Sequence, residues 1–311
     1  MVKVLVATPA YGEMFYTPYV KSVISLQRLM TRHKWDMTFA SIAYADIVES
    51  RNFLLTHWYD KTDATHLLFI DADMGYEAQL VADMILLDRP VVGVVYPKRQ
   101  IDLDRLAKLA AEGLPFERAR AQAHEFIVRR NARSAQVDSK GFISVDACGT
   151  GLFLIRRDCI TDMLSKLPEL SDTSAPKNSP LAKTLTRLIR AFDPVAVEGA
   201  RLSEDFSFCH RWRQCGGDIW ANTSHEITHV GLHRFAARYR TARGPRISVG
   251  KPLSGAPAAA AQSRSTPRER GRAKPRAGRA SQLDDGEPAT IEQMTLAFLQ
   301  GQIDSPRWQG T

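Results

Sequence analysis

Apolar and polar positions alternate along the first hundred residues in a way that predicts strands and helices in turn. Short apolar runs predict buried strands at residues 2–7, 36–44, 66–70 and 91–96. The segments between them carry apolar residues at helical spacing, which predicts helices at residues 16–30, 47–59 and 77–87. Strands and helices that alternate at this spacing form a mostly parallel sheet covered by helices on both faces. The sequence therefore predicts an α/β fold.

Beyond Pro97 the pattern becomes less regular. Residues 103–128 are charged and prone to form helix, which predicts an excursion over the edge of the sheet. Further strands are predicted at residues 142–147, 152–155 and 217–221, and further helices at residues 181–192 and 203–214. Ser203 is predicted as the N-cap of the last helix because a serine oxygen can accept a hydrogen bond from the free N–H groups of the first turn.

The charge of the chain is concentrated near its C-terminus. Of the net charge of +8, residues 243–279 contribute +9, so the remainder of the chain sums to −1. This segment is rich in Ala, Pro, Gly, Ser and Arg, and it cannot offset the entropic cost of ordering. We expect a folded domain at residues 1–240, a disordered basic linker at 241–286 and a short amphipathic helix within 287–311. The basic tail either solvates the chain or tethers it to anionic lipid head groups or nucleic acid.

Composition also limits the class and location of the protein. A hydrophobic content of 44% and a charged content of 24% are ordinary for a soluble globular protein. No apolar run reaches the ~20 residues needed to cross a bilayer, and the N-terminus does not resemble a signal peptide. The four cysteines form no C-x-x-C pair, which favours reduced thiols. We therefore expect a cytoplasmic protein, either free or bound at the inner face of the membrane through its tail.

The predicted strand at residues 66–70 runs directly into two carboxylates, Asp71 and Asp73. On an extended chain this i, i+2 spacing places both side chains on one face, where they can share a cation. Carboxylate and phosphate oxygens are hard ligands that suit Mn²⁺ or Mg²⁺. A buried strand that ends in a polar turn would show the same two residues, so the pair alone leaves both interpretations open.

Two other segments fall near the edge of the sheet where α/β proteins bind ligands. The loop after the first strand contains Thr8, Pro9 and Tyr11, whose aromatic ring suits a nucleobase, although an ordinary turn would look the same. This loop matches neither a P-loop nor the G-x-G-x-x-G fingerprint. Arg51 and Asn52 lie in a predicted helix, where Arg51 would pair with a carboxylate such as Asp71 or with a phosphate, or would face solvent.

Two pairs of polar residues near residue 200 complete the candidates. Glu204 and Asp205 begin a predicted helix, where acids are common because the helix dipole stabilises them; alternatively one is a general base that accepts a proton from an attacking hydroxyl. His225 and His229 form the string H-E-x-x-H, but the surrounding sequence lacks the long helix and the third ligand of a zinc protease. His229 is therefore predicted as a single ligand that completes a carboxylate metal site, or as a surface histidine.

Taken in order, these motifs resemble those of the GT-A fold glycosyltransferases, in the family-2-like group of the nucleotide-diphospho-sugar transferase superfamily. The resemblance covers residues 2–234 and rests on Thr8-Pro9-Ala10-Tyr11, Ser50-Arg51-Asn52, Phe69-Ile70-Asp71-Ala72-Asp73, Gly149-Thr150-Gly151-Leu152-Phe153, Ser203-Glu204-Asp205 and Thr228-His229-Val230-Gly231. It implies a Rossmann-like sheet sandwiched by helices. The chain departs from the membrane-embedded synthases of this group, because it lacks both their Q-x-x-R-W string and membrane-spanning helices.

The resemblance implies transfer of a hexose-type sugar from a nucleotide-diphosphate donor to an acceptor hydroxyl, with inversion. Asp73 would bind Mn²⁺ or Mg²⁺ directly, His229 would be an additional ligand, and Asp71 would meet the ribose or the metal. The other donor-site residues would be Thr8, Pro9, Tyr11, Arg51 and Asn52. Asp205 would be the catalytic base, with Glu204 as the second candidate. The acceptor, whether a glycan, a lipid-linked molecule or a protein, is not identified by the sequence.

Three alternatives stay open at this stage. A nucleotidyltransferase that activates sugar phosphates would share the sheet and a metal carboxylate, but it normally carries a G-x-G-x-R-like loop after the first strand. A non-catalytic nucleic-acid-binding protein would act through the basic tail. A zincin-like hydrolase would hold zinc at His225, His229 and a third ligand.

Overall fold

The structure of the protein is a computed structural model, which describes residues 1–174 and 184–232. These residues belong to one compact unit, Met1–Leu232. Its centre is a sheet of eight strands: β1 (Lys3–Pro9), β2 (Asp36–Ile42), β3 (His66–Ile70), β4 (Val91–Val94), β5 (Val128–Arg130), β6 (Phe142–Cys148), β7 (Leu152–Arg156) and β8 (Ile219–Asn222). The linker and C-terminal helix predicted at residues 241–311 lie outside the described residues.

The sheet is mixed, but most of its strands run in one direction. The strand order is β2-β1-β3-β7-β4-β8-β6-β5. The pairs β1/β2, β1/β3 and β4/β8 are parallel, while β7 is antiparallel to both of its neighbours and β6 to both of its own. Only β6 and β7 therefore oppose the direction shared by the other strands. This confirms the predicted α/β class with a mostly parallel sheet.

Seven α-helices connect and cover these strands. They are α1 (Thr17–His33), α2 (Ile47–Lys61), α3 (Ala78–Leu86), α4 (Leu103–Ala111), α5 (Phe116–Gln122), α6 (Arg157–Lys166) and α7 (Glu204–Gln214), within the described residues. The predicted helices at residues 16–30, 47–59 and 77–87 correspond to α1, α2 and α3. Alternation of apolar and polar positions thus located the N-terminal elements correctly.

Both faces of the sheet are covered, because successive strand residues point to opposite sides. On one face, Val6 of β1 packs in a core cluster with Leu26 of α1 and Leu80 of α3. On the other face, Phe153 of β7 meets Phe208 of α7 edge to face, with ring centroids 5.6 Å apart. Helix α2 also contacts β1 and β2. Because helices cover both faces of the sheet, polar side chains are left to the loops at the ends of its strands.

The second half of the unit departs from the predictions in two places. The helix predicted at residues 181–192 is wrong in its described part, where Leu188–Ile189 forms a short strand paired with Ser171–Asp172. Ile189 N donates a hydrogen bond to Thr56 Oγ1 of α2 at 2.8 Å. A tertiary contact therefore satisfies a backbone group that a helix would have bonded internally. Helix α6 was missed by the prediction.

The excursion predicted at residues 103–128 consists of α4 and α5 followed by the strand His124–Phe126. That strand pairs with the strand Pro97–Ile101, which follows β4 along the chain. None of the helices in the described parts of the chain is long and apolar enough to cross a membrane.

Candidate functional site

The candidate site lies where β3 ends, at the edge predicted from the sequence. Asp71 N donates to Gly151 O at 2.9 Å, and Met74 N donates to Asp71 O at 3.0 Å. Residues 71–74 therefore form a tight turn rather than an extended strand. Asp71 and Asp73 have different hydrogen-bond partners across this turn. Each carboxylate has its own cationic neighbour.

Asp71 is bound by a buried arginine. Arg51 of α2 is 3% exposed, and its Nη2 donates to Asp71 Oδ1 at 3.1 Å and to Oδ2 at 3.2 Å. Its Nη1 donates to Thr150 O at 3.2 Å. Burial raises the pKa of the Asp71 carboxyl, against the opposing effect of Arg51 and with a smaller contribution from Asp73. Of the alternatives for Arg51, the structure therefore shows the pairing with Asp71.

Glu204 joins this buried cluster from the first turn of α7. Its Oε1 lies 3.7 Å from Arg51 Nε, which has no hydrogen-bond partner. Burial raises the pKa of Glu204, and Arg51 opposes part of that rise. We define the Arg51 centre as Arg51, Asp71 and Glu204. One guanidinium is thus shared between two carboxylates that lie far apart in the sequence.

Asp205, next to Glu204, is held more tightly. It is 9% exposed, and its Oδ1 accepts a hydrogen bond from Phe206 N at 2.7 Å and another from the Ser203 hydroxyl. Ser203 is the N-cap residue of α7, as predicted, but its side chain makes no capping bond to the backbone. The hydroxyl instead orients the Asp205 carboxylate. Both of these hydrogen bonds fall on the same oxygen, Oδ1.

Asp73 lies beside His229. The short strand Thr228–His229 pairs with Met74–Gly75, which returns the end of the folded unit to the β3 turn. His229 Nε2 is 3.5 Å from Asp73 Oδ2, and Nδ1 lies 2.8 Å from Pro97 O. A carbonyl only accepts, so Nδ1 carries the hydrogen. Burial lowers the pKa of His229, but the hydrogen bonds to Asp73 and to the Pro97 carbonyl raise it by more.

A second arginine, Arg99, contacts the same carboxylate. Arg99 Nη1 donates to Asp73 Oδ2 at 2.9 Å, whereas Asp73 Oδ1 is buried without a hydrogen-bond partner. We define the Asp73 centre as Asp73, His229 and Arg99. It borders a cleft of about 340 Å³ lined by Lys98, Arg99, Gln100, Ile127 and His229.

The Asp73 centre fits a divalent cation that is completed by a substrate. A free buried carboxylate oxygen is an available hard ligand, and a histidine whose other nitrogen is fixed by a carbonyl is typical of metal sites. Mg²⁺ is usually held by one or two carboxylates together with substrate phosphates and water. Within the described ranges, no group of three or more His, Cys, Asp and Glu side chains is arranged to hold a metal ion. Asp73 and His229 alone would therefore need ligands from a bound diphosphate.

The structure does not support the zincin alternative. That motif requires both histidines on one helix, yet His229 lies in a short strand. His225 faces other groups, with its Nδ1 3.4 Å from Glu77 Oε2 and its Nε2 4.0 Å from Asp83 Oδ2. The two imidazoles thus have separate partners.

The remaining predicted donor-site residues divide into two groups. Tyr11 is 71% exposed on the turn that follows Pro9 and is free to stack on a ligand. Thr8 is fully buried, with its hydroxyl 2.6 Å from the hydroxyl of Tyr19, whose pKa burial raises to about 12. Asn52 is also buried, and its side chain accepts from Phe192 N at 2.9 Å. Thr8 and Asn52 therefore face the interior of the protein rather than the cleft.

The sequence prediction missed Tyr96, which supports both centres. Its hydroxyl accepts a hydrogen bond from Gly151 N at 3.0 Å, and its ring meets His229 edge to face at 5.4 Å. A Cβ at Gly149 would lie 2.2 Å from the Tyr96 hydroxyl oxygen. The glycines on either side of Thr150 therefore make room for Tyr96.

Comparisons with known proteins give distant structural similarities only. No protein-family model matches the chain, and no curated protein matches it. Among solved structures, A197 from STIV is 14% identical with a TM-score of 0.40, covering 75% of this chain and 87% of that one. The catalytic domain of Drosophila β1,4-galactosyltransferase 7, with xylobiose, is 12% identical with a TM-score of 0.38, covering 75% and 72%. GalNAc-T7 with UDP, GalNAc and Mn²⁺ is 14% identical with a TM-score of 0.40, covering 80% and 46%. At these scores, no similarity assigns an activity to this chain.

Proposed function

We propose that the chain is a metal-dependent glycosyltransferase of the GT-A, family-2-like type. It would transfer a hexose-type sugar from a nucleotide-diphosphate donor to an acceptor hydroxyl. The observation that carries the proposal is the Asp73 centre, where a buried carboxylate oxygen without a partner lies beside a histidine whose other nitrogen is fixed. The buried Arg51 centre lies on the same β3 turn, so a donor would meet both.

The two centres suit different parts of such a donor. Asp73 and His229 would hold Mn²⁺ or Mg²⁺, which supplies positive charge to stabilise a departing diphosphate. Asp71, fixed by two hydrogen bonds from Arg51, would accept hydrogen bonds from the ribose hydroxyls. The exposed ring of Tyr11 would stack on the base. The backbone around Pro9 positions that ring.

The catalytic base is proposed from the Glu204–Asp205 pair. The carboxylate takes the proton of the acceptor hydroxyl while the acceptor oxygen bonds to the anomeric carbon of the sugar. The bond from that carbon to the diphosphate breaks in the same step. The resemblance favours Asp205, whose carboxylate is oriented by Ser203. Glu204 is the more open of the two, and burial raises its pKa.

Substitution of each acid separates these two candidates. We expect loss of the base to lower turnover by about 10²–10⁴-fold while donor binding persists, because the base acts on the acceptor. Asp205→Asn and Glu204→Gln therefore give opposite results in a turnover assay paired with a donor-binding measurement. Normal turnover in both variants would move the base to another residue.

A thermal-shift screen of nucleoside diphosphates tests the function itself. A ligand at one hundred times its Kd stabilises the folded state by about 2.7 kcal/mol, which corresponds to roughly 5–10 °C in Tm for a domain of this size. We expect UDP, GDP or another nucleoside diphosphate to raise Tm with Mn²⁺ and much less with EDTA. Failure of every diphosphate to do so would contradict the proposal.

Two alternatives and the predicted location stay predictions. A sugar-phosphate nucleotidyltransferase would bind a nucleoside triphosphate together with a sugar phosphate, which the same screen would reveal once it includes these ligands. Nucleic-acid or membrane binding through the basic tail concerns residues outside the described ones, as does attachment of a cytoplasmic protein to the inner face of the membrane.

A further inference from the structure

Arg99 lies against Asp73, the carboxylate proposed above to bind a metal ion. Its Nη1 lies 2.9 Å from Asp73 Oδ2, the same oxygen that faces His229 Nε2 at 3.5 Å. The side chain of Arg99 is 57% exposed, whereas that of Asp73 is 15% exposed. Asp73 thus presents one oxygen to two nitrogen groups and leaves the other without a partner. The largely exposed side chain of Arg99 thus covers the nearly buried carboxylate of Asp73.

The backbone around Arg99 holds the stem of its side chain while leaving the guanidinium in the cleft. A Cβ at Gly231 would lie 3.0 Å from Arg99 Cβ and 3.2 Å from its Cγ, so the arginine stem crosses a glycine. Val230 N, one residue earlier, donates to Asp73 O at 2.9 Å. Pro97, two residues before Arg99, accepts from His229. The acid, the histidine and the stem of the arginine are therefore held on adjoining backbone segments, and among the described residues the guanidinium hydrogen-bonds to Asp73 alone.

A divalent ion bound to Asp73 would be a close neighbour of this guanidinium. Two positive groups a few ångströms apart repel each other strongly where water is partly excluded. The guanidinium would need another anion once the metal binds. Its planar fork matches phosphate oxygens, which makes a diphosphate in the same cleft a suitable partner.

We propose that Arg99 is a displaceable cation that holds Asp73 in the donor-free protein and moves to the diphosphate when metal and donor bind. This inference rests on the proposed function and adds a positioning residue to it. Metal alone must compete with Arg99 for Asp73, whereas metal with diphosphate offers Arg99 a new partner. Metal and diphosphate therefore bind cooperatively, and the coupling is reciprocal.

Mn²⁺ binding without nucleotide is the direct test, measured on the full chain by electron paramagnetic resonance of free Mn²⁺. We expect Arg99→Ala to bind Mn²⁺ about three- to tenfold more tightly than the parent protein, because a partly buried competitor has been removed. With saturating Mn²⁺, the same variant should bind the more tightly held of UDP and GDP about tenfold more weakly. The cooperativity between metal and diphosphate should fall accordingly.

Arg133→Ala is the matched control. It removes one exposed positive charge that, like Arg99, pairs with a single aspartate, here Asp218 at 2.6 Å, but Arg133 does not line the cleft. Its Mn²⁺ affinity without nucleotide should stay within about twofold of the parent value, since surface charges at longer range are screened. Arg99→Lys, which keeps the charge but loses the fork, should fall between the parent and Arg99→Ala.

The outcomes separate this inference from the proposed function. Equal Mn²⁺ affinity in the parent and in Arg99→Ala, with diphosphate binding intact, overturns the role of Arg99 alone. An equal gain in Arg133→Ala would show a general charge effect and overturn it too. If neither the parent nor Arg99→Ala binds Mn²⁺ or a nucleoside diphosphate, both the inference and the proposed function fail.

Discussion

The Arg51 centre and the Asp73 centre contain the same pair of residue types, an arginine on an aspartate, in opposite surroundings. Arg51 is almost fully buried, bonds both oxygens of Asp71 and reaches Thr150 O as well. Arg99 is more than half exposed and makes one bond to Asp73, whose second oxygen has no partner. A buried arginine with several fixed partners belongs to the framework, since removing it strands charge. An exposed one with a single bond is exchangeable.

Removing the framework arginine should have the largest effect on stability. Arg51→Met leaves the partly buried Asp71 and Glu204 without their counter-ion, which costs about 3–5 kcal/mol of the free energy of unfolding. Urea denaturation at neutral pH measures this loss. A change below about 1 kcal/mol would show that Arg51 is as dispensable as a surface residue.

Removing the proposed metal ligand should affect binding and leave the fold intact. Asp73→Asn is expected to weaken Mn²⁺-dependent nucleoside diphosphate binding by about 100-fold or more, because the amide lacks the negative charge that holds the cation. Isothermal titration with and without Mn²⁺ gives this number. Urea denaturation should show a change of about 1 kcal/mol or less, since the asparagine side chain keeps the shape of the aspartate and one of its oxygens. Unchanged Mn²⁺-dependent binding would remove Asp73 from the site.

The sequence located the Arg51 centre better than the Asp73 centre, for physical reasons. Arg51 and Asp71 lie on consecutive regular elements, where apolar periodicity places both near one sheet edge. Arg99 follows Pro97, where that periodicity ends, and it reaches Asp73 only through a strand pairing that local sequence does not encode. The H-E-x-x-H string left His229 as either a single metal ligand or a surface histidine, and the family resemblance favoured the ligand. The position of His229 depends on a two-residue ribbon with Met74–Gly75.

Side-chain direction was the other limit. Thr8 and Asn52 stand at the predicted places in β1 and α2, yet both turn inward to bond Tyr19 and Phe192. A polar side chain at a strand end or near the start of a helix can point into the protein or out to solvent. Tertiary packing, which local sequence does not encode, decides between the two. The helix predicted at residues 181–192 failed for a related reason, because side chains of α2 bond the backbone there.

The loss of unfolding free energy in Arg51→Met should depend on pH. Burial raises the pKa of Asp71 and of Glu204 in the folded state, and Arg51 opposes that rise. Without Arg51 the folded state therefore binds more protons than the unfolded state, from the ordinary carboxyl pKa upward, so stability falls as pH rises through that window. We expect the difference between the parent and Arg51→Met to be about 1–2 kcal/mol smaller near pH 4 than near pH 7. A pH-independent difference would indicate lost packing rather than stranded charge.

The smallest effect should be the stability change on removing the exchangeable arginine. Arg99→Ala leaves Asp73 with His229 Nε2 at 3.5 Å, so the acid keeps a neighbour that can carry positive charge. We expect the free energy of unfolding to change by less than about 1 kcal/mol, as for other exposed ion pairs. Urea denaturation beside Arg51→Met in one buffer makes the two arginines directly comparable. A loss as large as that of Arg51→Met would mean that Arg99 also belongs to the framework, and the contrast between the two centres would disappear.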